Sequence, residues 1–145
     1  MNNAKDKNMQ QDNIEGKDKN LKIETPVLQF SVPCDGVARG QNNKPVFVGI
    51  FSSISRPSVI PQFFIANRWI NGTGEFEQVI KILDPELKEI TKSEHQKFKL
   101  DSKAKSADIF SGFINISFEK VGVYWISVEL NAELSLSYPL PVFNK

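Results

Sequence analysis

Ile114-Asn115-Ile116-Ser117-Phe118-Glu119-Lys120-Val121-Gly122-Val123-Tyr124-Trp125-Ile126-Ser127-Val128-Glu129-Leu130 is the stretch whose reading decides the fold. Ile114, Ile116 and Phe118 alternate with Asn115, Ser117 and Glu119, the mark of a strand with one buried face. Lys120 to Gly122 turns the chain, and Tyr124, Ile126, Val128 and Leu130 then line one face of a second strand. Trp125, Ser127 and Glu129 fall on its other face. Asn131-Ala132 reads as a two-residue hairpin turn, with Ala a poor choice where φ must be positive. Leu134, Leu136 and Tyr138 carry the alternation on. Pro139 and Pro141 each remove a ladder donor, so this last strand belongs at a sheet edge.

The same grammar extends towards the N-terminus. Gln62 to Ile70 puts Phe63, Ile65, Asn67 and Trp69 on one face and Phe64, Ala66, Arg68 and Ile70 on the other. Asn71-Gly72-Thr73-Gly74 is a turn signal, and Phe76 to Leu83 follows as a strand. Asp84-Pro85-Glu86-Leu87 is a turn with Pro setting φ at its second position. Val46-Phe47-Val48-Gly49-Ile50-Phe51 is a continuous apolar run, which suggests a strand buried on both faces, with Gly49 marking a bulge or a close backbone approach. A short β-prone run from Val27 to Val32 ends at Pro33. Ser52 to Pro61 and Asp101 to Ala107 read as loops. Lys88 to Leu100 stays open: Glu89-Ile90-Thr91 can extend a hairpin, while residues 91–98 can form one short helix capped by Ser93. About seven to eight short strands with no strong helical stripe predict an all-β, immunoglobulin-like antiparallel sandwich over residues 25–145.

Residues 1–22 differ in kind. All eleven Phe, both Trp and both Tyr lie at or after Phe30, and residues 1–20 hold only Met1, Ala4, Met9 and Ile14 as apolar side chains. Such a segment buries too little to offset the entropy of ordering, so a disordered polar tail is expected there. Residues 1–20 hold four Lys and four acidic residues, which balance, and the whole chain carries a net charge of +1. No basic stripe offers a phosphate footprint, which argues against nucleic acid and against docking on an anionic membrane. No stretch approaches the ~20 apolar residues of a membrane span. A lone cysteine, Cys34, forms no internal disulfide and suits a reducing compartment, so a cytoplasmic location is expected.

Chemistry is sparse. His95, the only histidine, sits in the polar stretch Lys92-Ser93-Glu94-His95-Gln96-Lys97, where nothing orients it against a nucleophile. Cys34 precedes Asp35, the wrong sign for an activated thiol, and reads as a small buried hydrophobe. Glu75 with Glu77, and Asp84 with Glu86, are the closest carboxylate spacings beside turns; Glu75 and Glu77 share one strand face, and a solvated face explains that pair. No calcium loop or zinc ligand set is present, and Gly72-Thr73-Gly74 is a turn and not a phosphate loop. Trp69 and Trp125 are read as core, with a sugar-stacking platform as the alternative. Arg68 is the one charge in a strong apolar strand, either outward-facing or an anchor for an anionic group. No enzyme, cofactor, metal site or catalytic residue is expected.

Gly122-Val123-Tyr124 resembles the start of the penultimate strand in many immunoglobulin-like domains, where the Tyr makes a corner with nearby backbone. Taken in order, Val48-Gly49-Ile50-Phe51, Arg68-Trp69, Leu83-Asp84-Pro85, Gly122-Val123-Tyr124 and Pro139-Leu140-Pro141-Val142 resemble an uncharacterised family of short bacterial β-sandwich proteins of unknown function, over roughly residues 26–143. The chain departs from that family at Asn131-Ala132, where an Asp-Gly-like turn is usual, and at Leu87, where Gly often stands. The resemblance implies a fold and no activity. The expectation is a non-catalytic protein-interaction or self-association module, with a carbohydrate or other small-ligand binding sandwich as the alternative.

Overall fold

The computed structural model describes residues 22–144, so the tail expected over residues 1–22 lies outside the described residues except for Lys22. Nine strands follow in order: β1 (Val27–Arg39), β2 (Pro45–Ile50), β3 (Ser58–Ile70), β4 (Gly74–Leu83), β5 (Glu89–Lys92), β6 (Gln96–Leu100), β7 (Ser106–Phe118), β8 (Gly122–Leu130) and β9 (Glu133–Val142). One antiparallel sheet has the order β2-β1-β3-β7. In the other, β5 and β6 share one flank of β4, whose second flank takes β8 and then β9. The protein is a β-sandwich.

The period-two pattern built this architecture because each sheet must bury one face. Phe63, Ile65 and Trp69 point inward from β3, and Ile80, Ile82, Tyr124, Ile126, Val128 and Leu140 meet them from the second sheet. The rings interlock: Phe63 stacks on Phe113 at 5.3 Å between centroids, and Phe118 meets Tyr124 edge-on at 5.1 Å. Tyr124 makes the expected corner, its hydroxyl accepting the backbone N–H of Lys120 at 3.2 Å. Ser31 on β1 and Tyr138 on β9 join the sheets by a 2.9 Å hydroxyl–hydroxyl bond. Burial pushes the Tyr138 phenol up to about 12, so it stays neutral.

Residues 91–98 contain no helix. Ser93, expected as a helix cap, instead accepts the Ile80 N–H on its hydroxyl at 2.9 Å and donates its own N–H to the Ile80 carbonyl at 2.8 Å. β5 and β6 therefore dock side by side on the open edge of β4, which supplies ladder partners that a helix without an apolar stripe could not match. This division also raises the strand count from seven or eight to nine. The expected loops are shorter than their spans, since β3 starts at Ser58 and β7 at Ser106, and β1 continues through Pro33. Asn131 and Ala132 both adopt positive φ, 51° and 67°, and Leu87 has φ 67°. The two turns at which the chain departs from its resembled family thus hold non-glycine residues in the left-handed region.

β1 changes partners half-way. Val27 to Cys34 pair with β3, and Cys34 to Arg39 pair with β2. On the outer face of the first sheet the registers align three rows: Phe30 with Arg68 and Asp108, Val32 with Ala66 and Phe110, and Cys34 with Phe64 and Gly112. Phe47 of β2 lies opposite Val37, seven residues beyond Phe30. An extended strand would separate those positions by about 23 Å. The Phe47 ring nevertheless sits 5.6 Å from the Phe30 ring and 5.9 Å from the Phe110 ring. The β1–β2 ribbon therefore bends back after Cys34 and lies across the outer face as a third layer. Its cover explains why Cys34 and Ala66, both outward by register, are wholly buried. The bend is where Asp35 faces Gly49, at φ 68°; a Cβ on Gly49 would come within 2.2 Å of the Asp35 carboxylate. The close approach at Gly49 is thus made by a side chain, in place of the expected bulge or backbone approach, and the β1–β2 ladder carries no register shift there.

Burial of Val46 to Phe51 on both faces is overturned. Val46, Val48 and Ile50 are 46%, 52% and 59% exposed, because β2 has a single strand neighbour and only its Phe47 face meets the sheet.

Candidate interaction surface

The residues singled out for chemistry are scattered by the fold. His95 follows β5, and its Nδ1 contacts the Glu77 carboxylate on β4. The imidazole is 63% exposed. The neighbouring hydroxyl, Ser93, is occupied by the Ile80 N–H and the Glu94 carbonyl. A His–carboxylate pair thus exists, and Glu77 also lines an open cleft of about 500 Å³ with Phe76, Phe98 and Asn131, but the neighbouring hydroxyl is engaged and offers no nucleophile. Cys34 is buried in the opposite sheet, and desolvation raises its thiol pKa. Among the described residues no group of three or more His, Cys, Asp or Glu side chains is placed to hold a metal ion.

Glu75 and Glu77 lie on the outer face of β4 directly across from Lys99 and Lys97 of β6, so alternating charges face each other. Asp84 and Glu86 do not act as a pair of free carboxylates. Asp84 is almost fully buried, and its Oδ1 accepts the N–H groups of Glu86 at 2.8 Å and Lys88 at 2.9 Å, closing the turn. These bonds, the Lys88 one foremost, hold the Asp84 carboxyl below its usual pKa, and Lys120 adds attraction at 3.5 Å. A cleft of about 530 Å³ opens beside it between β5 and β7, lined by Ile90, Thr91, Ile116 and Tyr124. Its buried polar groups are already engaged by the turn and by the tyrosine corner, which leaves little to orient a ligand.

The tryptophans do not form a platform. Trp69 is wholly buried between the sheets, while Trp125 is half-buried on the opposite face of β8. They belong to different sheets, and only Trp125 meets solvent. Arg68 faces outward, as the first of its two readings has it, but its charge is matched within the sheet. Its Nε and Nη2 bind the Asp108 carboxylate at 2.6 and 2.9 Å, and its guanidinium lies 5.3 Å from the Phe30 ring centre. With its charge matched internally, it closes one end of the outer aromatic layer.

Sequence reasoning missed a buried polar node between the sheets. Gln78 Oε1 accepts from Trp69 Nε1 at 2.6 Å and from Asn67 Nδ2 at 2.9 Å. Gln78 Nε2 donates to Gln96 Oε1 at 2.9 Å, which also accepts the Ser111 hydroxyl at 3.0 Å. Asn67 Oδ1 is buried without a partner. The available signal was Asn67 itself, a polar residue on the row shared by Phe63, Ile65 and Trp69.

The feature that remains unmatched is the solvent side of the β1–β2 ribbon. Phe47 and Val37 share the face that meets the sheet, so Val46 and Val48 face out, opposite Ala38 and Gly36. Ile50 extends this exposed row along the strand. Two-stranded ribbons at a surface ordinarily carry one polar face; here both faces are apolar. The second edge of β2 has no neighbour in its sheet.

A model of a family of unknown function, DUF6941, matches residues 29–143. No curated protein sequence matches. Among solved structures, the sensor domain of the anti-sigma factor RsgI4 from Pseudobacteroides cellulosolvens is similar at 11% identity and a TM-score of 0.36, over 80% of this chain and 92% of that one. No helix among the described residues is long and apolar enough to cross a membrane.

Proposed function

The chain belongs to that family of unknown function, and we propose that its domain is a non-catalytic protein-interaction module, wound in the immunoglobulin-like manner and bound through the β1–β2 ribbon. The reading rests on one observation: Val46, Val48 and Ile50 form an exposed apolar row on an edge strand that needs no further side chains to complete the fold. Such an edge can accept an added strand from another chain, its ladder supplying affinity and its alternate side chains specificity. The immunoglobulin-like assignment is supported by the pairing of β1, β3 and β7 against β4, β8 and β9, and by the Tyr124 corner. A lone, buried Cys34 with a raised pKa is compatible with the cytoplasm.

The test combines light scattering after gel filtration with capture from native lysate. The expected result is a dimer or a reproducible partner that the double substitution Val46→Asp/Val48→Asp abolishes, with the thermal midpoint unchanged within a few degrees. A strict monomer that captures nothing sinks the proposal. Self-association and capture of a different protein separate by whether the purified protein alone exceeds monomer mass.

A further inference from the structure

The outer layer is built unlike the rest of the molecule. β2 pairs only with β1, so no ladder bond ties the ribbon to the strands it covers. Side chains join ribbon and sheet: Phe47 packs against Phe30 and Phe110, and the Arg39 guanidinium lies 5.7 Å from the Phe110 ring centre. At the bend, the site where a Cβ of Gly36 would project has nothing within 4 Å, and Gly49 already sits in the left-handed region on the facing strand. The last tie to the body is the Phe51 N–H bonded to the Pro33 carbonyl at 3.1 Å. Glycine, the residue with the fewest backbone constraints, thus occurs on both strands at the bend, between a ribbon that keeps its own ladder and a sheet that keeps its own.

We propose that the β1–β2 ribbon is a strap that swings open as a unit about Asp35-Gly36 and Gly49, baring the apolar row of Val32, Ala66 and Phe110 while the sandwich stays folded. Opening separates the Phe47 ring from its two neighbours and breaks no β1–β3 or β3–β7 pairing. Local openings of this kind cost less than global unfolding because they expose little surface. The inference stands whether or not a partner binds the ribbon, since it concerns the isolated protein.

Cys34 is the natural reporter. It lies at the hinge end of the covered face, is fully buried, and is the only thiol in the chain. The experiment follows its modification by dithionitrobenzoate against urea concentration, at a pH where free thiols react readily, beside global unfolding followed by tryptophan fluorescence. The expected result is modification at least about tenfold faster in buffer than global unfolding permits, with a shallow urea dependence that steepens only near the unfolding transition. Phe47→Ala should quicken it about tenfold further in buffer. Val123→Thr, at an exposed position of β8 in the other sheet, should leave it unchanged. If Phe47→Ala fails to fold, Phe47→Leu replaces it with the same direction expected. The proposal is overturned if modification tracks global unfolding with the full urea slope, or if Val123→Thr quickens it as much as the Phe47 substitution does.

Discussion

The two faces of the sheet formed by β2, β1, β3 and β7 are both aromatic, yet they are secured differently. The inner face puts Phe63, Phe113 and Phe118 against a second sheet that carries its own ladders, so every layer is held by backbone and side chain together. The outer face puts Phe30 and Phe110 under a ribbon whose ladder is its own. Equal apolar character therefore does not mean equal commitment to the fold. What separates the faces is whether the covering layer can leave without breaking hydrogen bonds.

The sharpest way to break this comparison is a matched pair of truncations. Phe118→Ala removes a fully buried ring that touches Phe63 and Tyr124, and should lower the unfolding free energy by about 3–5 kcal/mol. Phe47→Ala removes a half-buried ring on the outer side and should cost roughly 1–2 kcal/mol by the same reasoning, scaled to its smaller burial. Urea unfolding of both variants measures the difference. Equal losses would mean that the ribbon is as integral as the core.

The polar node sharpens the inner half of the comparison. Gln78→Leu keeps volume and apolar contact but strips the acceptor from Trp69 Nε1 and Asn67 Nδ2. Each buried donor left without a partner costs about 1–3 kcal/mol. The expected loss is about 3 kcal/mol, with a shift in the Trp69 emission maximum as the indole loses its partner. A loss under about 0.5 kcal/mol would show that water replaces Gln78, and would give the unpartnered Asn67 Oδ1 the same explanation.

The inner architecture was legible where one residue's face was decided by its neighbours. Tyr124, Ile126, Val128 and Leu130 are all buried in a row, as their spacing required, and so are Phe63, Ile65, Asn67 and Trp69. The outer layer was not legible, because nothing local distinguishes a buried run from an edge run with the composition of Val46 to Phe51. Its fold-back is set at Asp35 and Gly36 by contacts across seventeen or more positions, such as Phe30 with Phe47. Gly49 carried the only local hint. The node was half legible: Asn67 announced itself on an apolar row, but its partner Gln78 is found only once β3 and β4 face each other. The stretch 88–100 was open because its strands exist by virtue of the β4 edge and not by their own pattern.

Asp84 tests whether a turn far from the ribbon feeds the stability of the two sheets. Its folded pKa is depressed, so its contribution is present above the ordinary carboxylate pKa of about 3.9 and is lost as pH falls through the lower folded value. Stability should therefore decline on acidification below about pH 4, and Asp84→Asn should flatten that part of the decline. Urea midpoints across the range for both proteins provide the measurement. An unchanged acid profile in the variant would assign the decline to other carboxylates.

The smallest effect concerns Ala132, and it runs in the opposite direction. The hairpin from β8 to β9 needs positive φ at both central residues. Asn131 tolerates this, and its side-chain Oδ1 also accepts the Glu77 N–H at 3.0 Å while its own N–H reaches the Glu77 carbonyl at 2.8 Å. Ala132 has no such compensation, and its left-handed backbone costs about 1–2 kcal/mol relative to glycine. Glycine would relieve that strain but would add unfolded-state entropy worth about 0.4–1 kcal/mol. The net expectation for Ala132→Gly is a gain of about 0.5–1 kcal/mol, seen as a higher urea midpoint with an unchanged slope. Leu87→Gly should gain a similar amount, since Leu87 is exposed and its N–H bond to the Asp84 carbonyl is kept. The two gains should add, because the turns share no hydrogen-bond partner. Neither substitution touches the ribbon, so Cys34 reactivity governed by the strap should stay the same while global stability rises. If reactivity fell in step with the added stability, the thiol would be reporting whole-molecule unfolding, and the two faces of the sheet would have to be counted as one cooperative unit.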